Sequence, residues 1–130
     1  MAREDAIFYL VAGSAPIAAL VKDRIYRVEF PQGVLYPALA YRLIDAPRDE
    51  ELLGPNGLVD ARLQFDALAN SYEDASAVRD WLIALLNGYE GFVQGFEIIH
   101  SHFEDERDIP YDVATKSRGV QLDFIISHRE

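Results

Sequence analysis

Three observations on this chain predict an α+β fold, a mainly antiparallel β-sheet with helices packed on one face. Residues 58 to 68 alternate: Val59, Ala61, Leu63, Phe65 and Ala67 at odd positions, Asp60, Arg62, Gln64 and Asp66 between them. That is period two over a strand's length, so one face is buried and the other is wet or meets a partner. The period then changes. Val78, Trp81, Leu82, Leu85 and Leu86 recur at helical spacing and form one apolar stripe. The remaining runs alternate like strands, giving the order α-β-β-β-α-β-β without repeats or low-complexity segments. A strand with one apolar face and a helix with one apolar stripe can bury both against each other.

Each element has its own signals. Glu4 to Ala12 reads as a helix with Ile7, Leu10 and Val11 on one side. Gly13 interrupts it, Ser14 is a candidate cap, and Pro16 sits in the first turn of a second short helix ending at Val21, where a missing N–H costs nothing. A bent helical pair results. Ile25 to Phe30 alternates and ends in the turn signal Pro31-Gln32-Gly33. Pro37 precedes the strand Ala38 to Ile44, which carries Leu39, Tyr41 and Leu43 on one face. Asp45 to Gly57 is a long polar connection with Asp49, Glu50 and Glu51 followed by Leu52 and Leu53. Loops of this length are usually functional or mobile. The two leucines suit either a docking contact or folding back on their own domain.

Ser71 is placed to cap the central helix, Asp74 to reach back to the cap amide, and Gly88 to end the helix in the left-handed conformation. Tyr89 to Gly95 reads as a loose link. In Phe96 to Phe103, alternation assigns Phe96, Ile98, His100 and His102 to one face and Glu97, Ile99, Ser101 and Phe103 to the other. Glu104 to Gly119 is expected as a second long connection, charged at Glu104, Asp105, Glu106, Arg107 and Asp108. Val120 to Arg129 is the last strand, with Val120, Leu122, Phe124 and Ile126 pointing one way.

At 130 residues, half of them hydrophobic, the chain makes a single domain with a sufficient core. It has no cysteine, which excludes disulfides and thiolate chemistry and suits a reducing compartment. The apolar stretch Ala6 to Ala12 is too short to span a bilayer and follows acids, so neither a signal peptide nor a membrane helix is expected. A net charge of −10 repels phosphate backbones. It serves solubility, or it makes a surface that DNA must pass without sticking.

Catalytic signatures are missing. Two imidazoles, His100 and His102, beside acids could hold zinc, yet a histidine pair on an open sheet face is more often solvated or at an interface. A third, His128, strengthens the case only if it neighbours them. Ser71 and Ser14 read as caps, and Ser101 faces away from the histidines. There is no G-x-S-x-G elbow and no Gly-rich phosphate loop. Trp81, at helical spacing beside Val78 and Leu85, is expected in the core. Ile83 lies roughly 140° from Val78 at helical rotation, off the stripe, and would supply an exposed apolar anchor with Leu52 and Leu53. The expectation is a protein without cofactor, metal or catalysis.

With these elements placed, the chain resembles the tail completion or tail terminator family of long-tailed bacteriophages and related prophages. The likeness rests on a helical pair ending in Asp23-Arg24-Ile25-Tyr26 and on Pro31-Gln32-Gly33 with Pro37 before a strand. It rests also on Gly57-Leu58-Val59 opening an alternating strand before the Ser71-capped helix, and on Glu106-Arg107-Asp108 before a last strand ending His128-Arg129-Glu130. The resemblance implies a structural virion protein, made in the host cytoplasm. It would form a homo-oligomeric ring of six copies at the head-proximal end of the tail tube. There it would end tube polymerisation and join the tail to the head connector. Its partners would be the tail tube protein and the head–tail connector or stopper, with DNA passing the lumen without specific binding and no membrane involved.

On that reading Asp49, Glu50, Glu51, Leu52, Leu53, Ile83, Glu104, Asp105, Glu106 and Arg107 are the candidate contact residues, and some of the acids would line the lumen. The protein would be a monomer in dilute solution, its loops ordering on docking. Two other readings stay open: another ring-forming neck component, and a small cytoplasmic ligand-binding or enzymatic domain, which would need a pocket with convergent polar groups.

Overall fold

The computed structural model describes residues 2–46 and 57–129. The chain runs α1 (Arg3–Ala12), α2 (Ala15–Val21), β1 (Ile25–Arg27), β2 (Ala38–Asp45), β3 (Leu58–Ala69), α3 (Tyr72–Leu86), β4 (Gly91–Val93), β5 (Phe96–Asp112) and β6 (Ser117–Arg129). The six strands form one sheet in the order β1-β2-β3-β6-β5-β4. Every neighbouring pair is antiparallel except β1 with β2. This is the α+β architecture expected, with the helices over one face.

The period-two reading of β3 holds along its length. Val59, Ala61, Leu63, Phe65, Ala67 and Ala69 are fully buried. They face Leu39 and Tyr41 of β2 and Leu122, Phe124 and Ile126 of β6 across matched registers. Aromatic contacts knit this layer. Tyr41 stacks on Phe65 at 5.9 Å, and Phe124 meets Phe65 at 5.5 Å and Phe103 at 5.8 Å edge-on. α3 lies over β6, β3 and β5, and α2 packs beside it. α1 and α2 are bent by 86° at Gly13, so one bent pair caps both the sheet and α3. Among the described residues no single helix is long and apolar enough to cross a membrane.

Two glycines are required by geometry. Gly88 has φ +87, one residue past the cap position, and turns the chain away from α3 as its sequence position predicts. Gly119 is different. A Cβ there would lie 2.1 Å from the Ala67 carbonyl oxygen, so the β3–β6 ladder excludes any side chain.

Five local expectations are corrected. The charged stretch 104–112 is the second half of β5, and only 113–116 form the turn into β6. Pairing with β6 supplies its backbone hydrogen bonds, so polar side chains do not prevent a strand there. The link Tyr89–Gly95 contains a strand, β4, which forms a tight hairpin with the start of β5. β1 stops at Arg27 because Val28 has φ 74, a conformation that breaks the ladder. A bulge lies between Ile98 and His100, two residues apart on β5 but opposite adjacent partners on β6. It inverts the alternation, so Ile98 is buried with Ser101 on the helix side, and His100 and His102 point away. Finally, Ser14 makes no side-chain cap bond, whereas the Ser71 hydroxyl does accept from the Asp74 amide at 3.2 Å.

Candidate assembly surface

The face of the sheet that no helix among the described residues covers carries the even residues of β3 and their neighbours, and they form a connected charged network. At its centre is Asp123 of β6, only 6% exposed. Arg62 reaches it from β3 at 3.2 Å, Gln64 donates at 3.0 Å, and Arg107 of β5 donates at 3.0 and 3.3 Å. Burial pushes the Asp123 carboxyl up, but the Arg107 guanidinium, the Gln64 amide and Arg62 outweigh it and hold the group below the ordinary aspartate range. The network extends outward. Arg107 donates to Gln121 at 2.7 Å, Gln121 donates to Asp66 at 2.8 Å, and Arg42 of β2 bonds Gln64. Asp123 sits between two strands of alternating residues, and nothing in its sequence setting distinguished it from the other outward positions.

The sequence-predicted contact residues divide. Glu104 pairs with Arg62 at 3.7 Å and with His102 at 3.0 Å on the open face. Asp105 lies 3.3 Å from Arg107 there as well. Glu106 turns to the opposite face and meets Arg79 of α3 at 3.6 Å. These four residues therefore lie on a paired strand and not on the long connection expected of them. Asp49, Glu50, Glu51, Leu52 and Leu53 lie outside the described residues.

Ile83 is not an exposed anchor: it is half-buried and packs against the core. Trp81, expected inside, is 47% exposed. The buried stripe of α3 is Ala75, Val78, Leu82 and Leu86, centred on Leu82. At about 100° per residue, Trp81 and Ile83 flank that centre symmetrically, so the sequence alone could not say which would turn inward. Packing beside the core settles it in favour of Ile83.

The three histidines are divided between the two faces of the sheet. His100 and His102 stack at 5.8 Å on the open face, beside Glu90 and Glu104 respectively. His128 lies on the helix side, 4% exposed, with its Nε2 3.1 Å from Arg3 and its ring against Phe96. Among the described residues no group of three or more histidines or carboxylates could hold a metal ion. Ser101 is structural too. Its hydroxyl donates to the Leu86 carbonyl, and its own carbonyl accepts from the Gly88 amide at 2.7 Å, fastening the end of α3 to β5.

A cleft of about 580 Å³ opens at one end of the sheet, between the β1–β2 connection and the β5–β6 turn. Phe30, Val34, Tyr36, Leu68, Ile109 and Pro110 line it, and Asp112 is the carboxylate on its wall. The Thr115 and Ser117 hydroxyls on the same wall bond each other at 2.7 Å, and among the described residues no histidine or second carboxylate lines the cleft to make an acid–base pair. Leu35, 71% exposed, and Val113, 77% exposed, adjoin lining residues in the chain, and Val28, 57% exposed, lies two residues before Phe30.

Comparison with known proteins gives a family and a fold. The family model described as tail completion protein gp17 matches residues 5–128. A chain from the virion of a native gene transfer agent particle has the same fold, with a TM-score of 0.69 over 99% of this chain and 96% of that one, at 17% identity. No curated protein matches the sequence.

Proposed function

This chain belongs to the tail completion protein gp17 family, and from that premise we propose that it is the terminator that closes the head-proximal end of a tail tube. It is a structural component of a phage-type virion tail, not an enzyme. In the proposed role six copies form a ring that stops tube polymerisation and presents the surface on which the head connector seats. DNA crosses the lumen without specific binding, a role supported by the net charge of −10. Assembly takes place in the host cytoplasm, where the free chain is a monomer that orders on docking.

The observation that carries this reading is the family match across nearly the whole chain. The sheet adds physical support. One face is sealed by helices, while the other presents a polar network fixed by Asp123, suited to meeting a wet protein surface. The test is a phage lacking this chain, imaged by electron microscopy. Overlong or ragged tubes that fail to join filled heads are expected. Tubes of normal length that still fail to join would assign the chain to the neck instead.

A further inference from the structure

We infer that the outer edge of β5, residues 104–112, receives the β1 edge of the next copy of this chain, so that the ring closes acidic edge against basic edge. This rests on the ring proposed above and assigns the β5 acids to a subunit contact instead of the lumen wall.

The sheet has two ends, with β1 at one and β4 at the other. β4 covers only Phe96 to Ile98 of β5. The Asn87 side chain accepts from the Phe103 amide at 3.1 Å, and from Glu104 to Asp112 no strand among the described residues lies against the outer side of β5. An open strand edge is a template for another chain, and proteins that keep one usually guard it with charge. Here the guard is mostly acidic: Glu104, Asp105, Glu106, Asp108 and Asp112 outnumber Arg107 on this stretch, with Arg62 beside Glu104 and Arg79 beside Glu106.

The opposite edge carries a slight excess of cations in a strongly acidic molecule. Lys22, Arg24 and Arg27 lie at or just before β1, with Asp23 and Glu29 as the nearby carboxylates. Arg24 donates to the Pro37 carbonyl at 2.9 Å. Arg27 reaches Glu4 only at 3.8 Å, and its side chain is 55% exposed.

Charge therefore selects among the possible pairings. β5 against β5 opposes five carboxylates to five, and β1 against β1 opposes cations to cations. Like-charge contact is a specificity device that rejects both two-fold dimers. Unlike edges attract, and a contact between two different patches is heterologous, the kind that closes a ring. Exposed ion pairs alone are worth little. Apolar area is available beside both edges: Val28 and Leu35 follow β1, and Tyr111 (47% exposed) and Val113 end β5.

The absence of cysteine makes the test clean. Arg27→Cys and Asp108→Cys chains are incorporated together into tails and treated with a short bismaleimide. A covalent dimer is expected from the mixture and from neither variant alone, and a ladder of oligomers from the doubly substituted chain. In parallel, a Lys22→Glu, Arg27→Glu chain should lower the yield of joined particles about tenfold or more. Adding Asp105→Lys and Asp108→Lys to the same chain should restore it. Several copies at the tail end without a 27–108 cross-link, or cross-links between like positions, would overturn the edge assignment while leaving the ring. A single copy per tail would overturn both.

Discussion

Along β3, Leu63 and Phe65 are completely buried beneath the helices, while Arg62 and Gln64, each one residue away, lie on the opposite face of the sheet. The two faces of one strand are held by different physics. On the covered face, aromatic rings and aliphatic chains exclude water, and the contacts are numerous and non-directional. On the open face, a few directional bonds converge on Asp123, and each remains in competition with solvent. The comparison teaches that the covered face supplies stability and the open face supplies a shaped, charged surface. Substitutions should separate the two.

The largest loss is expected from the covered face. Phe124→Ala removes the ring that both Phe65 and Phe103 contact and should cost about 3–5 kcal/mol in chemical denaturation. Next comes Gly119→Ala, where backbone meets the new methyl group and cannot yield cheaply. A loss of about 1–3 kcal/mol is expected from overpacking, read in the same assay.

The open face should respond less, and in a pH-dependent way. Asp123→Asn should cost about 1–2 kcal/mol at neutral pH, because Arg62 and Arg107 can turn to water. The Asp123 carboxyl is held below its ordinary range in the folded state. Its contribution is therefore complete above the unfolded value and lost as pH falls through the folded one. Wild type and variant should converge below about pH 4, and a difference that stays constant into acid would deny the charge its role.

The smallest effect is expected at Trp81, where Trp81→Ala should change stability by about 0.5 kcal/mol or less, as at other exposed sites. Ile83→Ala should cost more than Trp81→Ala in a thermal melt, which is the sharpest test of which flank of α3 turns inward.

Much of this was legible beforehand. β3 and α3 were readable because a repeating pattern over a dozen residues has one low-energy solution. Ser71 and Gly88 were readable because capping and left-handed turns favour few residue types. The second half of β5 was not. Its residues Glu104 to Asp108 look like a loop, since charge usually means solvent, and only β6 alongside makes them a strand. The same holds for His100 and His102. A bulge beside Ile98, invisible in composition, moved them to the face opposite Ile98. Glu104, Asp105 and Arg107 were legible as a charged run but were expected on a connection instead of a strand. Asp123 was passed over because its importance comes from three partners far apart in the chain.

The sequence by itself determined the fold class, the strand–helix centre from 58 to 88, the excess of negative charge and the lack of cysteine, because these depend on local pattern and residue chemistry. Tertiary structure alone decided which flank of α3 is buried, that an acidic run is half of a paired strand, and that Asp123 gathers two arginines. Those outcomes depend on which distant segments become neighbours, and no short stretch of residues carries that information.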